Sequence, residues 1–281
     1  MIAASHVKAE PFFLEGPNGR LFAVYHPPLY GVEVKGCFLY VQPFAEEMNR
    51  CRQMVSLQAR EFSRLGYGCL LLDLYGTGDS EGQYQEGTWD VYQADLLAGL
   101  QWISAKGYDN ILLWAVRHGA LLALELASNM PPPHRLLFWQ PVLNGQTALT
   151  QILRIEFAAS LAGENKVSMD NLRNQINTGE TIELSGYETA ASFLATLEAS
   201  KVSNYYMLPE VEVHWFDVLS SEDQNPARSR TKVEQEWKNA GAQVHYETVV
   251  GPAFWQVWER VIAGELIDQT SAWVQTDLTK K

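Results

Sequence analysis

The chain of 281 residues lacks long hydrophobic runs, has few cysteines and carries no excess of basic residues. No apolar stretch approaches the roughly 20 residues that a membrane-spanning helix needs. The formal net charge of -12 argues against nonspecific nucleic-acid binding, which requires a basic face. Residues 1–16 show no charged region followed by an apolar region, as a signal peptide would. We therefore predict a cytoplasmic protein with no membrane span and no nucleic-acid partner.

The cysteines Cys37, Cys51 and Cys69 are odd in number and form no CxxC motif. Two of them lie within apolar runs. Both features argue against a disulfide framework or a zinc site, and they favour buried free thiols. We predict neither a metal site nor a cofactor.

Strand and helix patterns alternate along most of the chain. Residues 12–28 predict a β-hairpin around a Pro-Asn-Gly turn. Continuous apolar runs predict buried strands at 36–44, 66–73, 110–115, 134–142, 212–220 and 242–250. Apolar residues at helical spacing predict helices at 49–65, 89–107, 118–129, 226–241 and about 254–274. Repeated strand–helix units indicate a mostly parallel sheet with helices on both faces.

Residues 145–206 interrupt this alternation with two mainly helical stretches. Between them, residues 176–188 form either a short strand or a loop. A hairpin, a parallel sheet, a helical insertion and two closing strand–helix units together describe the α/β-hydrolase fold. We predict a single domain over residues 1–281, with residues 145–206 as a helical lid over one end of the sheet.

The stretch ILLWAVRHGALLALELA, residues 111–127, has the strand–turn–helix outline of a nucleophile elbow, G-x-S-x-G. A literal G-x-S-x-G also occurs at residues 78–82, but it follows the strand that ends at Asp73 and precedes a polar loop. We assign Ser80 a structural role there, with a hydroxyl that bonds locally. In the elbow itself, Arg117 stands at the nucleophile position. A guanidinium stays protonated and has no lone pair for attack on a carbonyl.

The other two positions of a catalytic triad are an acid after the strand at 212–220 and a histidine after the strand at 242–250. Asp223, with Glu222 and Asp217 as neighbours, fills the slot of the acid or simply caps a helix. Phe254 stands where the histidine should follow the last strand, and His245 lies inside that strand. A serine-type acyl-enzyme mechanism is therefore not expected.

Five stretches resemble the exosortase A system-associated hydrolases, in the group called hydrolase 2. They are PFAEEMNRCR, DLYGTGDSEG, WAVRHGALLA, GETIELSGYE and VVGPAFW. The resemblance implies an α/β-hydrolase encoded beside exosortase and exopolysaccharide genes in Gram-negative bacteria. It implies hydrolase activity only through the superfamily, so no catalytic residue is carried over.

Two arrangements remain open around Arg117. In one, Arg117 and the backbone N–H groups of His118 and of Phe44 or Ala45 form a site for a carboxylate or phosphate. In the other, Glu46 or Glu47 neutralises the guanidinium, because a buried charge needs a partner.

The role of the surrounding side chains is open as well. A carboxylate of Glu46 or Glu47 held beside Arg117 is also a candidate general base that activates water. Phe254 and Trp255 either line an apolar pocket or belong to the core.

Function accordingly divides into two classes. One is a divergent hydrolase that acts on an ester, thioester or similar acyl substrate through residues outside a triad. The other is a non-catalytic binding or accessory protein whose old pocket holds a small anionic or acyl ligand. The sequence does not specify an oligomeric state.

Overall fold

The computed structural model describes residues 8–130, 134–162, 167–205, 211–226, 228–257 and 259–276. Its strands are β1 (Glu10–Glu15), β2 (Arg20–His26), β3 (Gly36–Val41), β4 (Tyr67–Leu72), β5 (Ile111–Val116), β6 (His134–Trp139), β7 (Ile182–Leu184), β8 (Tyr187–Thr189), β9 (Val211–Leu219) and β10 (Gln243–Val250). Its α-helices are α1 (Glu46–Arg64), α2 (Trp89–Ala105), α3 (Gly119–Ser128), α4 (Gly145–Ala162), α5 (Met169–Thr178), α6 (Ala191–Ala199), α7 (Arg228–Asn239) and α8 (Gly264–Thr276).

Within the described ranges, eight strands form one sheet in the order β1-β2-β4-β3-β5-β6-β9-β10. β2 pairs antiparallel with both β1 and β4, and the pairs from β4 through β10 are parallel. β3 is buried at every position, which explains its continuous apolar run. A mostly parallel sheet flanked by helices is the architecture that the sequence predicted.

Helices cover the two faces of the sheet with two separate apolar cores. One core joins the sheet to α2, α3, α7 and the segment between β6 and β9. The other joins the sheet to α1 and α8. Because strand side chains alternate between faces, each central strand contributes to both cores. Because β3, β5 and β6 are parallel, their carboxyl ends meet at one edge of the sheet. Ligands bind at this edge in open α/β sheets.

Most predicted elements agree with the structure within a few residues, but the last helix was predicted too early. Residues 254–256 form a turn, and α8 begins only at Gly264. The backbone N–H of Phe254 donates to the carbonyl of Pro252, which is turn geometry. This turn lets both Phe254 and Trp255 enter the core, with 2% and 3% of their surfaces exposed. Two neighbouring residues of one helix point about 100° apart, so they are less readily buried together in the same core.

The segment between β6 and β9 contains α4, α5, the β7–β8 hairpin and α6. Its first helix begins at Gly145, and the predicted end of the insertion at residue 206 lies outside the described residues. Residues 176–188, which the sequence left between strand and loop, include the antiparallel pair β7–β8. Phe193 of α6 packs against Phe44, which follows β3, so this segment lies beside the edge where the strands end. That this segment acts as a lid stays a prediction.

Two further structural features bear on the sequence predictions. Cys37, Cys51 and Cys69 are free and buried, as predicted. Among the described helices, none is both long and apolar enough to span a bilayer.

Candidate functional site

The turn between β5 and α3 holds Arg117 in a left-handed backbone conformation, with φ of 55°. The N–H of Arg117 donates to the carbonyl of Trp139 over 3.0 Å, and its own carbonyl accepts from Val142 over 3.0 Å. A Cβ atom on Gly119 would lie 2.4 Å from the carbonyl oxygen of Val41. Only glycine fits such a close approach of helix and strand. The turn thus has the backbone features of an elbow, with an arginine at its apex.

The guanidinium of Arg117 is bound on several sides by its own chain. Nε lies 3.2 Å from both carboxylate oxygens of Glu47, and Nη2 lies 3.2 Å from Oε1 of the same residue. Nη1 donates to the backbone carbonyl of Gln140 over 3.3 Å. The guanidinium carbon lies 5.2 Å from the ring centroid of Trp255, a cation–π distance. Glu47 is therefore the partner of Arg117.

The carboxylate of Glu47 is held strongly in its charged form. Burial by itself would raise the pKa of Glu47, but the charge and hydrogen bonds of Arg117, together with the nearby imidazole of His118, outweigh it. The result lowers the pKa from 4.5 to about 2. A carboxylate with so low a pKa is a poor proton acceptor near neutral pH.

His118 lies against the same carboxylate. Its Nδ1 is 3.2 Å from Oε2 of Glu47, but it is buried and off the direction of a hydrogen bond. The contact is therefore one of proximity and not an aligned hydrogen bond. The ring also packs edge-on against Phe44, with centroids 6.2 Å apart. His118 is only 6% exposed, so its imidazole lies within the packed interior.

Glu46, the neighbour of Glu47 in the first turn of α1, contacts different side chains. Its Oε1 accepts a hydrogen bond of 3.0 Å from the hydroxyl of Tyr187 on β8. Its Oε2 lies 3.6 Å from Nε of Arg50, one turn further along α1. The Tyr187 hydroxyl also accepts from Nδ2 of Asn49 over 2.6 Å. Glu46 thus fastens the β7–β8 hairpin to α1.

The backbone positions expected to bind an oxyanion are engaged or enclosed. The N–H of Ala45 donates to the hydroxyl of Tyr84 over 3.0 Å. The ring of Phe44 stacks on Phe193 of α6, with centroids 5.1 Å apart. The cavity between these residues and His118 has a volume of about 10 Å³, room for roughly one water molecule.

The aromatic pair after β10 belongs to the core beneath Arg117. Phe254 packs edge-on against Trp139, with centroids 6.1 Å apart. Trp255 packs against Phe254 at 5.1 Å and presents its ring to Arg117. Both residues are almost fully buried. The structure therefore places them in the packed core, and Trp255 supports the guanidinium.

The acidic residues near the end of β9 lie in two different environments. Asp223 is exposed in the turn after β9. Asp217 is buried within β9, where its Oδ2 lies 3.0 Å from Nε of Arg230 and accepts from the hydroxyl of Tyr246 over 3.0 Å. Oδ1 accepts from the indole of Trp215 over 2.9 Å. Asp217 is thus satisfied by a local polar network.

Several residues of the site were not found from the sequence. Tyr84, Tyr187 and Phe193 come from a short 3₁₀ turn, the hairpin and α6, far apart along the chain. No local pattern marks an aromatic residue that closes a site from another element. One signal for Glu47 was present, because it precedes the buried Cys51 by four residues on α1.

The described residues contain no cluster of three or more His, Cys, Asp or Glu side chains able to hold a metal ion. Ser80 has the local role predicted for it. Its hydroxyl donates to the carbonyl of Asp73 over 2.6 Å and accepts from the N–H of Phe22 over 2.8 Å. The literal G-x-S-x-G at residues 78–82 is thus a loop whose serine hydroxyl is used in local hydrogen bonds.

Comparison with known proteins identifies the fold. No protein-family model matches the chain, and no curated protein is significantly similar in sequence. Among solved structures, Est1E from Butyrivibrio proteoclasticus with bound ferulic acid has a TM-score of 0.60 at 14% identity, over 94% of this chain and 96% of that one. An α/β serine hydrolase homologue from Coxiella burnetii has a TM-score of 0.55 at 16% identity, over 96% and 98%.

An esterase from Pyrococcus furiosus has a TM-score of 0.60 at 13% identity, over 96% of this chain and 90% of that one. Identities this low show a shared fold, and a shared fold does not carry an activity with it. The sheet order and the length of the matches agree. The chain therefore has the α/β-hydrolase fold.

Proposed function

We propose that this protein is a non-hydrolytic member of the α/β-hydrolase fold that serves as an accessory protein. The observation that carries the proposal is the ion pair between Arg117, at the elbow, and Glu47. An arginine there offers no nucleophile, since its guanidinium is always protonated. The resemblance to exosortase A system-associated proteins suggests the exosortase and exopolysaccharide system as the setting.

The surroundings of the elbow support a structural role for Arg117. Glu47, the carbonyl of Gln140 and the face of Trp255 already satisfy the guanidinium. An anionic ligand would have to displace the Glu47 carboxylate. An acyl chain would have to move Phe193, because the adjoining cavity holds roughly one water molecule. Both steps would cost more than binding to an open, cationic pocket.

The alternative is a divergent hydrolase in which Glu47 activates water. Its carboxylate does lie at the end of the sheet where catalysis is located in this fold. Its pKa of about 2, however, makes it a weak base at neutral pH. A phenylalanine at position 254 also leaves no imidazole there to protonate a leaving group. We therefore favour the non-hydrolytic role.

The test is a direct search for ester chemistry in the full chain. We expect no labelling by a fluorophosphonate probe and no turnover of p-nitrophenyl acetate above that of heat-denatured protein. Glu47→Gln and Glu46→Gln form a matched pair on one turn of α1. Turnover that is abolished by Glu47→Gln but kept in Glu46→Gln would establish the divergent hydrolase instead. Stoichiometric labelling of one serine would show that the nucleophile lies elsewhere.

A further inference from the structure

A second cavity, of about 220 Å³, lies between α1 and the sheet. Gln42 and Met48 line both this cavity and the small one beside His118, so they form the wall between the two. Apart from Ala9 and Asp73, the rest of the lining comes from β2, β3, β4 and α1. No residue of the elbow lines it. The cavity is therefore separate from the site described above.

The periods of strand and helix explain the lining of this cavity. Phe22, Val24 and His26 alternate along β2, so their side chains share one face of the sheet. On α1, Met48 and Arg52 are four residues apart and also share a face. Phe22 and Val24 are only partly buried. An apolar floor thus remains accessible between the helix and the antiparallel side of the sheet.

Charged groups surround this apolar floor unevenly. Nη2 of Arg52 lies 3.0 Å from Oδ1 of Asp73, so this pair is neutral as a whole. Arg60, an exposed residue of α1, also lines the cavity, and among the described residues it has neither an ion-pair partner nor a hydrogen-bond partner. The cavity therefore carries one uncompensated positive charge, in a chain whose net charge is -12.

His26 adds an unused polar group to the same cavity. Its side chain is 2% exposed, and Nδ1 has no hydrogen-bond partner in the described part of the chain. Burial, and next the charge of Arg60, lower the pKa of His26 from 6.5 to about 4. The ring is consequently neutral at pH 7, and one nitrogen can donate a hydrogen bond while the other accepts one. Buried polar groups without partners are uncommon in folded proteins.

We propose that this cavity binds a small organic anion, with its carboxylate or phosphate head group at Arg60 and its apolar body against Phe22 and Val24. A guanidinium forms paired, charge-assisted hydrogen bonds with either head group. The volume of about 220 Å³ lies below that of a typical drug-sized site, roughly 300–1,000 Å³. The body is therefore one ring or a short chain.

Calorimetric titration of the full chain with phenyl phosphate, benzoate and phenol tests this proposal. Phenol is the neutral control, because it offers the same ring without the anionic head group. We expect phenyl phosphate or benzoate to bind at least roughly tenfold more tightly than phenol, as a charge-assisted hydrogen bond allows. The relative affinities of the two anions then show which head group the site prefers.

Three variants locate the binding. Arg60→Gln should weaken the anion about tenfold or more. Arg64→Gln, one turn further along the same helix and paired with Glu61, should leave binding unchanged. Ser56→Phe should fill the cavity and abolish binding, while circular dichroism verifies that the variant is folded.

Specific results would overturn the proposal. They are the absence of binding by both anions, equal affinity for phenol, equal losses in Arg60→Gln and Arg64→Gln, or full binding in Ser56→Phe. None of these readouts depends on ester turnover, and Arg60 makes no described contact with Arg117 or Glu47. The anion site and the non-hydrolytic role are therefore tested independently of each other.

Discussion

Replacing Arg117 with glutamine should destabilise the protein by about 3 kcal/mol at pH 7, because Glu47 loses the main partner of its buried charge. In the folded protein the pKa of Glu47 is about 2, compared with its ordinary 4.5. At about 1.4 kcal/mol per pKa unit, this difference corresponds to about 3 kcal/mol of folding free energy. Burial opposes this stabilisation and His118 supplies part of it, so the figure is the net effect of all the surroundings of Glu47.

The effect should depend on pH in a definite direction. The folded pKa of Glu47 lies below its unfolded value, so the stabilisation is complete above about pH 5 and is lost as the pH falls toward about 2. The stability gap between the wild-type protein and Arg117→Gln should therefore be widest near neutral pH. It should narrow steadily in acid, as the carboxyl group becomes protonated in both proteins.

A double-mutant cycle measured by urea unfolding provides the assay. The four proteins are the wild type, Arg117→Gln, Glu47→Gln and the double variant. Each single variant leaves one buried charge unpaired, whereas the double variant leaves none, so we expect a coupling energy of about 1–3 kcal/mol. Arg64→Gln is the control, since its pair with Glu61 lies on the surface and should contribute less than about 1 kcal/mol.

Two outcomes would refute the reasoning about this ion pair. One is additivity of the two single substitutions within about 0.5 kcal/mol. The other is a cost for Arg117→Gln no larger than that for Arg64→Gln. Either result would mean that solvent, and not Glu47, satisfies the guanidinium in solution.

Three further predictions concern the packing and the buried groups around the site. Gly119→Ala places a Cβ 2.4 Å from the carbonyl of Val41, so we expect a loss of at least about 2 kcal/mol in urea unfolding; an unchanged midpoint would contradict the close approach. Tyr187→Phe removes the hydrogen bond to Glu46 and should cost about 1 kcal/mol, with faster amide exchange in the β7–β8 hairpin; identical exchange would argue against this fastening. The pKa of His26 is about 4 in the folded protein, compared with its ordinary 6.5, so His26 takes up a proton at higher pH in the unfolded chain than in the folded one. The free energy of unfolding should therefore fall as the pH drops from about 6.5 to 4. His26→Phe should reduce that slope, and an unaltered slope would assign it to other groups.

The fold was predictable from the sequence because its signals are local and repeated. Buried strands such as β3 appear as apolar runs, and α1 shows its buried face through helical spacing. The start of α8 was not predictable, since the residues that precede it are apolar for a tertiary reason. Phe254 packs against Trp139, and Trp255 packs against Arg117. The spacing of apolar residues alone does not distinguish this burial from the buried face of a helix.

The identity of the partner of Arg117 was harder to predict, because Glu46 and Glu47 differ by one position. On a helix, one position is a rotation of about 100°, so the rotation of α1 about its axis decides which carboxylate faces inward. Cys51 and Met54, four and seven residues after Glu47, are fully buried. They set that rotation, and Glu46 consequently lies with Arg50 on the adjoining face.

The strained backbone at Arg117 does not by itself indicate catalysis. A left-handed conformation costs a residue other than glycine about 1 kcal/mol or more, and it persists only where its surroundings determine it. Here the N–H and carbonyl of Arg117 are bound by Trp139 and Val142, and Gly119 lets α3 approach β3. These constraints belong to the junction of β5, β6 and α3, whatever side chain stands at the apex. A protein that gave up a nucleophile would retain the turn for packing, and the new side chain would need a partner. Glu47 is that partner, which is why the elbow geometry and a non-hydrolytic role are compatible.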